Sequence, residues 1–306
     1  MTYSLVPEHD KVQYTDNVQH LLQDKGGKLI NTVMVGEHQG KQAAVVDQYG
    51  VVEMQEKGGA KYAPITFSDV PHERRWVAPT QYDLAIPVDD FDKLRTISDP
   101  TNAYVEAGRK AIARKEDDLI LDAFFATAKI GKDGTETEAF DTSAYQIAVD
   151  YGASGNTGLT VAKLKRAVKL FLEAEVDFDD ESNQRFVAIT SNQNEDLLDE
   201  VQIINSDYRG EKPVLDGDGR IKAFMGFTFI HIERLSVDSN SYRRLPCWVK
   251  SGMHLGRFNP SGHGPLTVDI SQRKDLKGHP YQIYFDMAGG ATRTEQGKVI
   301  EILAAE

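Results

Sequence analysis

Between Asp99 and Ala128 the chain reads D-P-T-N-A-Y-V-E-A-G-R-K-A-I-A-R-K-E-D-D-L-I-L-D-A-F-F-A-T-A, and its apolar positions predict one long helix. Tyr104, Gly108, Ala111, Ile112 and Leu119 follow the 3.6-residue period of an amphipathic face. Asp99 stands where an N-cap is needed, and Pro100 occupies the first helical position, where its missing N–H costs nothing. From Leu119 onward almost no polar face remains, so the first half should lie along a surface and the second half should enter a core. A helix of this span would be roughly 42 Å long, a spine rather than a member of a compact bundle.

Ahead of this helix, residues 1–11 are polar and read as an extended arm. Tyr14, Val18, Leu21 and Leu22 then give a short helix that should stop at Gly26-Gly27, with a stripe too thin to bury alone. Strand-like runs follow at Leu29–Val35, Ala43–Val46 and Val51–Met54, and again at Ile65–Phe67 and Arg74–Val88. Pro64, Pro71, Pro79 and Pro87 argue against central strands. This pattern predicts a long two-stranded excursion without a core of its own; the competing expectation is an edge sheet of the same domain.

After the spine, Gly131–Glu138 reads as a polar loop and 139–159 as irregular. A helix is predicted with Val161, Leu164, Val168, Phe171 and Leu172 on its apolar face and Lys163, Lys165, Arg166, Lys169 and Glu173 opposite. An acidic loop (Asp177–Ser182) leads to a strand at Arg185–Thr190 and a helix capped by Ser191, running to Val201. This order suits an α/β or α+β unit. The final third predicts strands at Thr228–Ile232, Cys247–Lys250, Leu266–Ile270, Tyr281–Met287 and Val299–Leu303, with D-G-D-G (Asp216–Gly219) and A-G-G-A (Ala288–Ala291) as separators.

Composition adds three constraints. The 306 residues suffice for one large or two modest domains. A net charge of −12 disfavours sequence-specific duplex binding, because an acidic surface repels phosphate backbones. Cys247 is the only cysteine, which excludes an intrachain disulfide and a thiolate metal cluster. No stretch reaches the ~18 apolar residues of a membrane span, and the N-terminus lacks a signal-peptide pattern, so a protein made and folded in a cytoplasm is expected.

Catalytic and metal motifs are sparse. Gly152-Ala153-Ser154-Gly155 resembles a nucleophile elbow, but Asn156 takes the place of its last glycine, and a loop is the better reading. Asp216–Gly219 has the look of a calcium loop, yet Phe227 stands where the bidentate Glu belongs. The carboxylates Asp89-Asp90, Asp117-Asp118 and Asp177–Glu181 read as solvated faces rather than cation sites. His72, His231, His254, His263 and His279 show no paired ligand spacing. No catalytic, cofactor-binding or metal residue is assigned, no cofactor is expected, and the chain is not expected to be an enzyme.

Several stretches carry a family resemblance. They are D-V-P-H-E-R-R-W-V (Asp69–Val77), Y-D-L-A-I-P-V-D-D-F-D-K-L-R (Tyr82–Arg95), D-P-T-N-A-Y (Asp99–Tyr104) and A-R-K-E-D-D-L-I-L-D-A (Ala113–Ala123). V-D-Q-Y-G (Val46–Gly50), N-S-D-Y (Asn205–Tyr208), M-G-F-T-F-I (Met225–Ile230) and A-G-G-A-T-R (Ala288–Arg293) extend it. Together with the order of parts, these resemble the major capsid proteins of tailed bacteriophages. The resemblance implies an α+β chain of the Hong Kong 97 fold. Its parts would be an N-terminal arm (1–45), an extended loop overlapping a neighbouring subunit (46–89), a peripheral domain (90–139 and 271–306) with the spine helix at 99–128, and an axial domain (140–270).

The resemblance further implies self-assembly through pentamers and hexamers into an icosahedral head enclosing double-stranded DNA, inside the host cytoplasm. Scaffolding, portal and decoration proteins would be further partners, contact with packaged DNA would be non-specific, and no membrane is involved. Only residues 1–11 precede the first predicted helix, so no built-in scaffolding segment is expected. Lys57 and Lys61 lie near the loop tip and read as solubilising charges, not as cross-linking groups. The alternatives are an encapsulin-like nanocompartment shell of the same fold and a soluble acidic enzyme without a recognisable motif.

Overall fold

The computed structural model describes residues 24–50, 52–54, 67–70, 72–88, 101–180, 183–200, 218–259 and 266–306. The chain begins with β1 (Met34–His38), β2 (Ala43–Tyr49), β3 (His72–Val77) and β4 (Thr80–Val88), followed by the long helix α1 (Thr101–Phe125). Next come β5 (Ala128–Ile130), β6 (Glu136–Glu138), one helical turn at Thr142–Tyr145 and β7 (Gln146–Ile147). Then follow α2 (Val161–Glu173), β8 (Arg185–Ile189), α3 (Ser191–Asp199), β9 (Ala223–Phe224), β10 (Phe227–His231) and β11 (Arg243–Val249). The chain closes with β12 (Met253–Phe258), β13 (Leu266–Gln272), β14 (Tyr281–Arg293) and β15 (Val299–Ala304).

These strands form three sheets. The first is built on β14, whose 13 residues serve two partners at once. Ala288 and Gly289 pair with Gln81 and Thr80 of β4 on one side and with Phe258 and Arg257 of β12 on the other. Strand β13 continues along the side that β12 leaves, and β1 adds to β12 in parallel. The second sheet runs β7-β15-β11-β8-β10-β9, and the third β2-β3-β5-β6.

Helix α1 spans 25 residues, slightly inside the predicted 99–128; the expected cap at Asp99 and Pro100 lies outside the described residues, and Ala128 already belongs to β5. Its two halves do different things, as the pattern predicted. Ile120, Ala123 and Phe124 are buried in the main core, where Phe124 packs on Trp248 at 4.7 Å between ring centroids. Burying each such large side chain contributes about 1.5–3 kcal/mol. The first half lies on the first sheet, with Val105 and Ile112 against Ile283, Phe285 and Val88. Gly108 permits that approach: a Cβ there would sit 2.2 Å from the Phe285 ring.

Buried polar groups pin the helix at both ends of its core half. Asp117 is fully buried and accepts from the backbone N–H of Leu29 (3.0 Å) and Lys28 (3.2 Å), with Arg234 at 3.6 Å. Burial raises its pKa, and those two N–H bonds and Arg234 work against the rise. At the far end, the buried Arg293 donates to the carbonyls of Phe124 (2.8 Å) and Ala126 (3.1 Å), satisfying acceptors that a helix C-terminus leaves open.

Several expectations are corrected. Lys163, placed on the polar face of its helix, is fully buried and donates to the carbonyls of Thr157 (2.8 Å), Gly158 (2.7 Å) and Leu303 (2.9 Å), while Leu172 is exposed. Three convergent carbonyls make a buried ammonium tolerable, although burial pulls its pKa down to about 8. The cap of α3 is Thr190, not Ser191, in a capping box with Gln193. A-G-G-A does not separate elements but lies within β14, where Gly290 leaves room for the Ala78 carbonyl: a Cβ there would lie 2.2 Å from that oxygen. Val52–Met54 is not a strand, β12 is an additional one, and 139–159 contains β7.

Strand pairing also cuts across the expected divisions of the chain. Residues 80–88 are not part of an excursion, because nine consecutive residues pair with β14. Strands β12 and β13, expected in the 140–270 unit, belong with β14, whereas β15 pairs with β11 in the other sheet instead of returning to the spine's sheet. Backbone pairing, not sequence order, partitions the two sheets. The helix predicted from Tyr14 to Leu22, the segment Asn205–Tyr208, Asp89-Asp90 and the loop tip with Lys57 and Lys61 lie outside the described residues.

Candidate inter-subunit surface

Strands β2 and β3 form an antiparallel hairpin from Ala43↔Val77 to Tyr49↔His72, with a bulge between Ala44 and Val46. Its base is tied to the body on several sides. Gln48 Nε2 donates to the Thr294 carbonyl (2.9 Å), Trp76 Nε1 to the Gly131 carbonyl (2.7 Å), and buried Arg75 pairs with Glu138. Val77 joins Phe258 and Ala288 in a small cluster with Ala43 and Val45. The hairpin root is therefore part of the folded subunit.

Beyond the root the apolar residues change environment. Met54 is 100% exposed, Phe67 89% and Tyr49 68%, with Val52 and Val70 also exposed. Scattered exposed apolar residues are ordinary, but five of them among the described residues of one segment mark a contact surface. On the body, a groove of about 220 Å³ opens between α1 and β4, lined by Tyr82, Leu84, Ala111, Ile112, Phe285 and Met287, with Lys115 Nζ 4.4 Å above the Tyr82 ring. The sequence reading missed this groove. Its signal was available in β4, where Tyr82, Leu84, Ile86 and Val88 alternate with Gln81, Asp83, Ala85 and Pro87.

The residues weighed for chemistry are dispersed. Ser154 sits in an exposed turn, and Phe227 is buried in β10. Asp117 is held by backbone N–H groups, Asp118 pairs with Arg234, and Asp177 caps its own turn by accepting from Asp179 N (2.9 Å). His72 meets the Tyr49 ring edge-on, with centroids 5.0 Å apart, and His231 contacts the Ile221 carbonyl at 3.0 Å. Among the described residues no three His, Cys, Asp or Glu side chains are grouped to hold a metal ion, and no helix is long and apolar enough to cross a membrane. One pair does come together: His38 and His254, with Nε2 atoms 2.9 Å apart.

The subunit thus carries exposed apolar residues on its β2–β3 hairpin and an apolar groove between α1 and β4. The chain belongs to the phage capsid protein family, whose model matches residues 6–306, and its role is that of a structural capsid protein. Solved capsids share the architecture. That of Ralstonia phage GP4 aligns with a TM-score of 0.70 at 12% identity, covering 100% of this chain and 99% of that one. The cyanophage Pam1 capsid gives 0.69 at 10% identity over 100% and 99%, and that of cyanophage P-SCSP1u 0.68 at 13% over 96% and 92%. The fold is the Hong Kong 97 capsid fold that the sequence resembled. No curated protein matches the chain by sequence.

Proposed function

We propose that copies of this chain assemble head to tail into pentamers and hexamers, and these into a closed icosahedral head around double-stranded DNA. The observation that carries this reading is the set of exposed apolar residues on the β2–β3 hairpin of a capsid-family subunit whose main core contains no residue of that hairpin. In this reading the hairpin overlaps a neighbouring copy, and the groove between α1 and β4 is the seat that receives it. Head-to-tail contacts of this kind close into rings. Of the expected arm (1–45), the part ahead of β1 acts as the arm, α1 with the sheet of β14 forms the peripheral domain, and the sheet of β15 and β11 with α2 and α3 forms the axial domain.

The net charge of −12 suits a container that encloses DNA without gripping it. The subunit does its work by assembly and carries no catalytic role. Scaffolding, portal and decoration proteins are its further partners, and assembly takes place in the host cytoplasm. Electron micrographs and sedimentation of the expressed full-length protein test the reading. Closed shells of megadalton mass are expected; a protein that stays between monomer and tetramer under all assembly conditions would contradict it.

A further inference from the structure

We propose that His38 and His254 form a proton-operated clasp at the root of the hairpin, closed when the pair is neutral and opened when both facing nitrogens carry protons. The rings meet end to end. Their Nε2 atoms are 2.9 Å apart and their centroids 5.2 Å apart, about that distance plus the two ring radii. This is the geometry of an N–H···N hydrogen bond. A metal ion shared by two imidazoles would lie to the side of the line and draw the centroids together. One ring therefore donates from Nε2, and the other accepts there while keeping its own proton on Nδ1.

The surroundings leave the pair to itself. His254 is buried and His38 half-buried. A Cβ on Gly36 would lie 2.8 Å from one ring and 3.0 Å from the other, and a Cβ on Gly256 would touch both the His38 ring and Val77 of β3. Phe258 lies 5.6 Å from His38, and Thr292 of β14 is the register partner of His254. The charged residues of the same strands, Glu37 and Arg257, are register partners and alternate to the opposite face, where Arg257 is held by Glu116 of α1 at 2.7 and 2.9 Å. On β3, Arg75 is taken by Glu138 of β6, with Glu73 at 3.7 Å. Burial lowers the pKa of His254 to about 4, with His38 adding to the effect, and burial also lowers that of His38.

The consequence follows from proton positions. A first proton can settle on an Nδ1 atom and leave the hydrogen bond intact. A second places N–H groups on both facing Nε2 atoms, with a charge on each ring, and the rings must part. Strand β1 runs into β2 through Gln39–Gln42, so parting releases β1 from β12 and frees the hairpin base above it. The sign is fixed: below the ordinary histidine value the open state binds more protons, so acid favours it by up to about tenfold per proton and pH unit. At neutral pH the clasp is shut. This holds for the subunit itself and does not depend on the assembly reading.

Hydrogen exchange of the full-length protein at pH 7.5 and 5.0, corrected for intrinsic exchange rates, reads the opening directly. In the wild type, protection of β1, β2 and β3 should fall at pH 5.0 by at least about tenfold relative to β8 and β11. In H38Q/H254Q, whose amides pair without titrating, the differential loss should stay under about threefold. H279Q, which alters an exposed histidine in the turn before β14, should behave as wild type. A double variant with the wild-type acid response, or a wild-type loss spread evenly over both regions, overturns the proposal. Should the double variant fail to fold, H38Q alone must show a diminished response, and an undiminished one overturns the proposal equally.

Discussion

The core half of α1 and the β2–β3 hairpin are both rich in apolar side chains, and the subunit treats them in opposite ways. Ile120 and Phe124 have no exposed surface and sit among Trp248, Leu29 and Met253. Tyr49, Met54 and Phe67 are largely exposed. Apolar content alone therefore does not say what a segment is for. What separates the two is whether the same chain supplies the partner. The helix finds its partners within the subunit; among the described residues the hairpin is anchored at its root, and its exposed apolar side chains contribute little to the subunit until another surface covers them.

Substitutions on the two sides should therefore differ sharply. Phe124→Asp places an unpaired charge in the core and should cost more than about 4 kcal/mol, enough to abolish folding; thermal melting and soluble yield report it, and an unchanged melt would contradict the buried-spine assignment. Asp117→Ala strips two backbone N–H groups and Arg234 of their acceptor. A loss of about 2–4 kcal/mol in denaturant unfolding is expected, against less than about 1 kcal/mol for Asp118→Ala at the more exposed pair. On the hairpin, Met54→Asp combined with Phe67→Asp should shift stability by no more than about 0.5 kcal/mol while reducing assembly. A destabilisation comparable to that of Asp117→Ala would mean these side chains are covered within their own subunit.

Much of this contrast could be read from the chain before any coordinates. The change of character at Leu119 located where α1 enters the core, because the disappearance of a polar face is a local property of the sequence. Lys163 was misassigned because three carbonyls from Thr157, Gly158 and Leu303 converge on it, and the last is 140 residues away. The glycines in Ala288–Ala291 read as a break because their reason, the Ala78 carbonyl, comes from a distant segment. β4 was folded into the excursion because its prolines outweighed its alternation, although Pro87 suits a strand paired with β14 on one side. The His38–His254 contact spans 216 positions and had no local signal at all.

The most direct test of the account is to replace residues 50–71 with a short Gly-containing turn that rejoins β2 to β3, and to compare the two proteins by sedimentation and thermal melting. The account predicts that the shortened chain keeps the melting behaviour of the full-length subunit and remains small, while the full-length chain forms megadalton shells. A shortened chain that assembles as well as the full-length protein, or one that no longer folds, would contradict it.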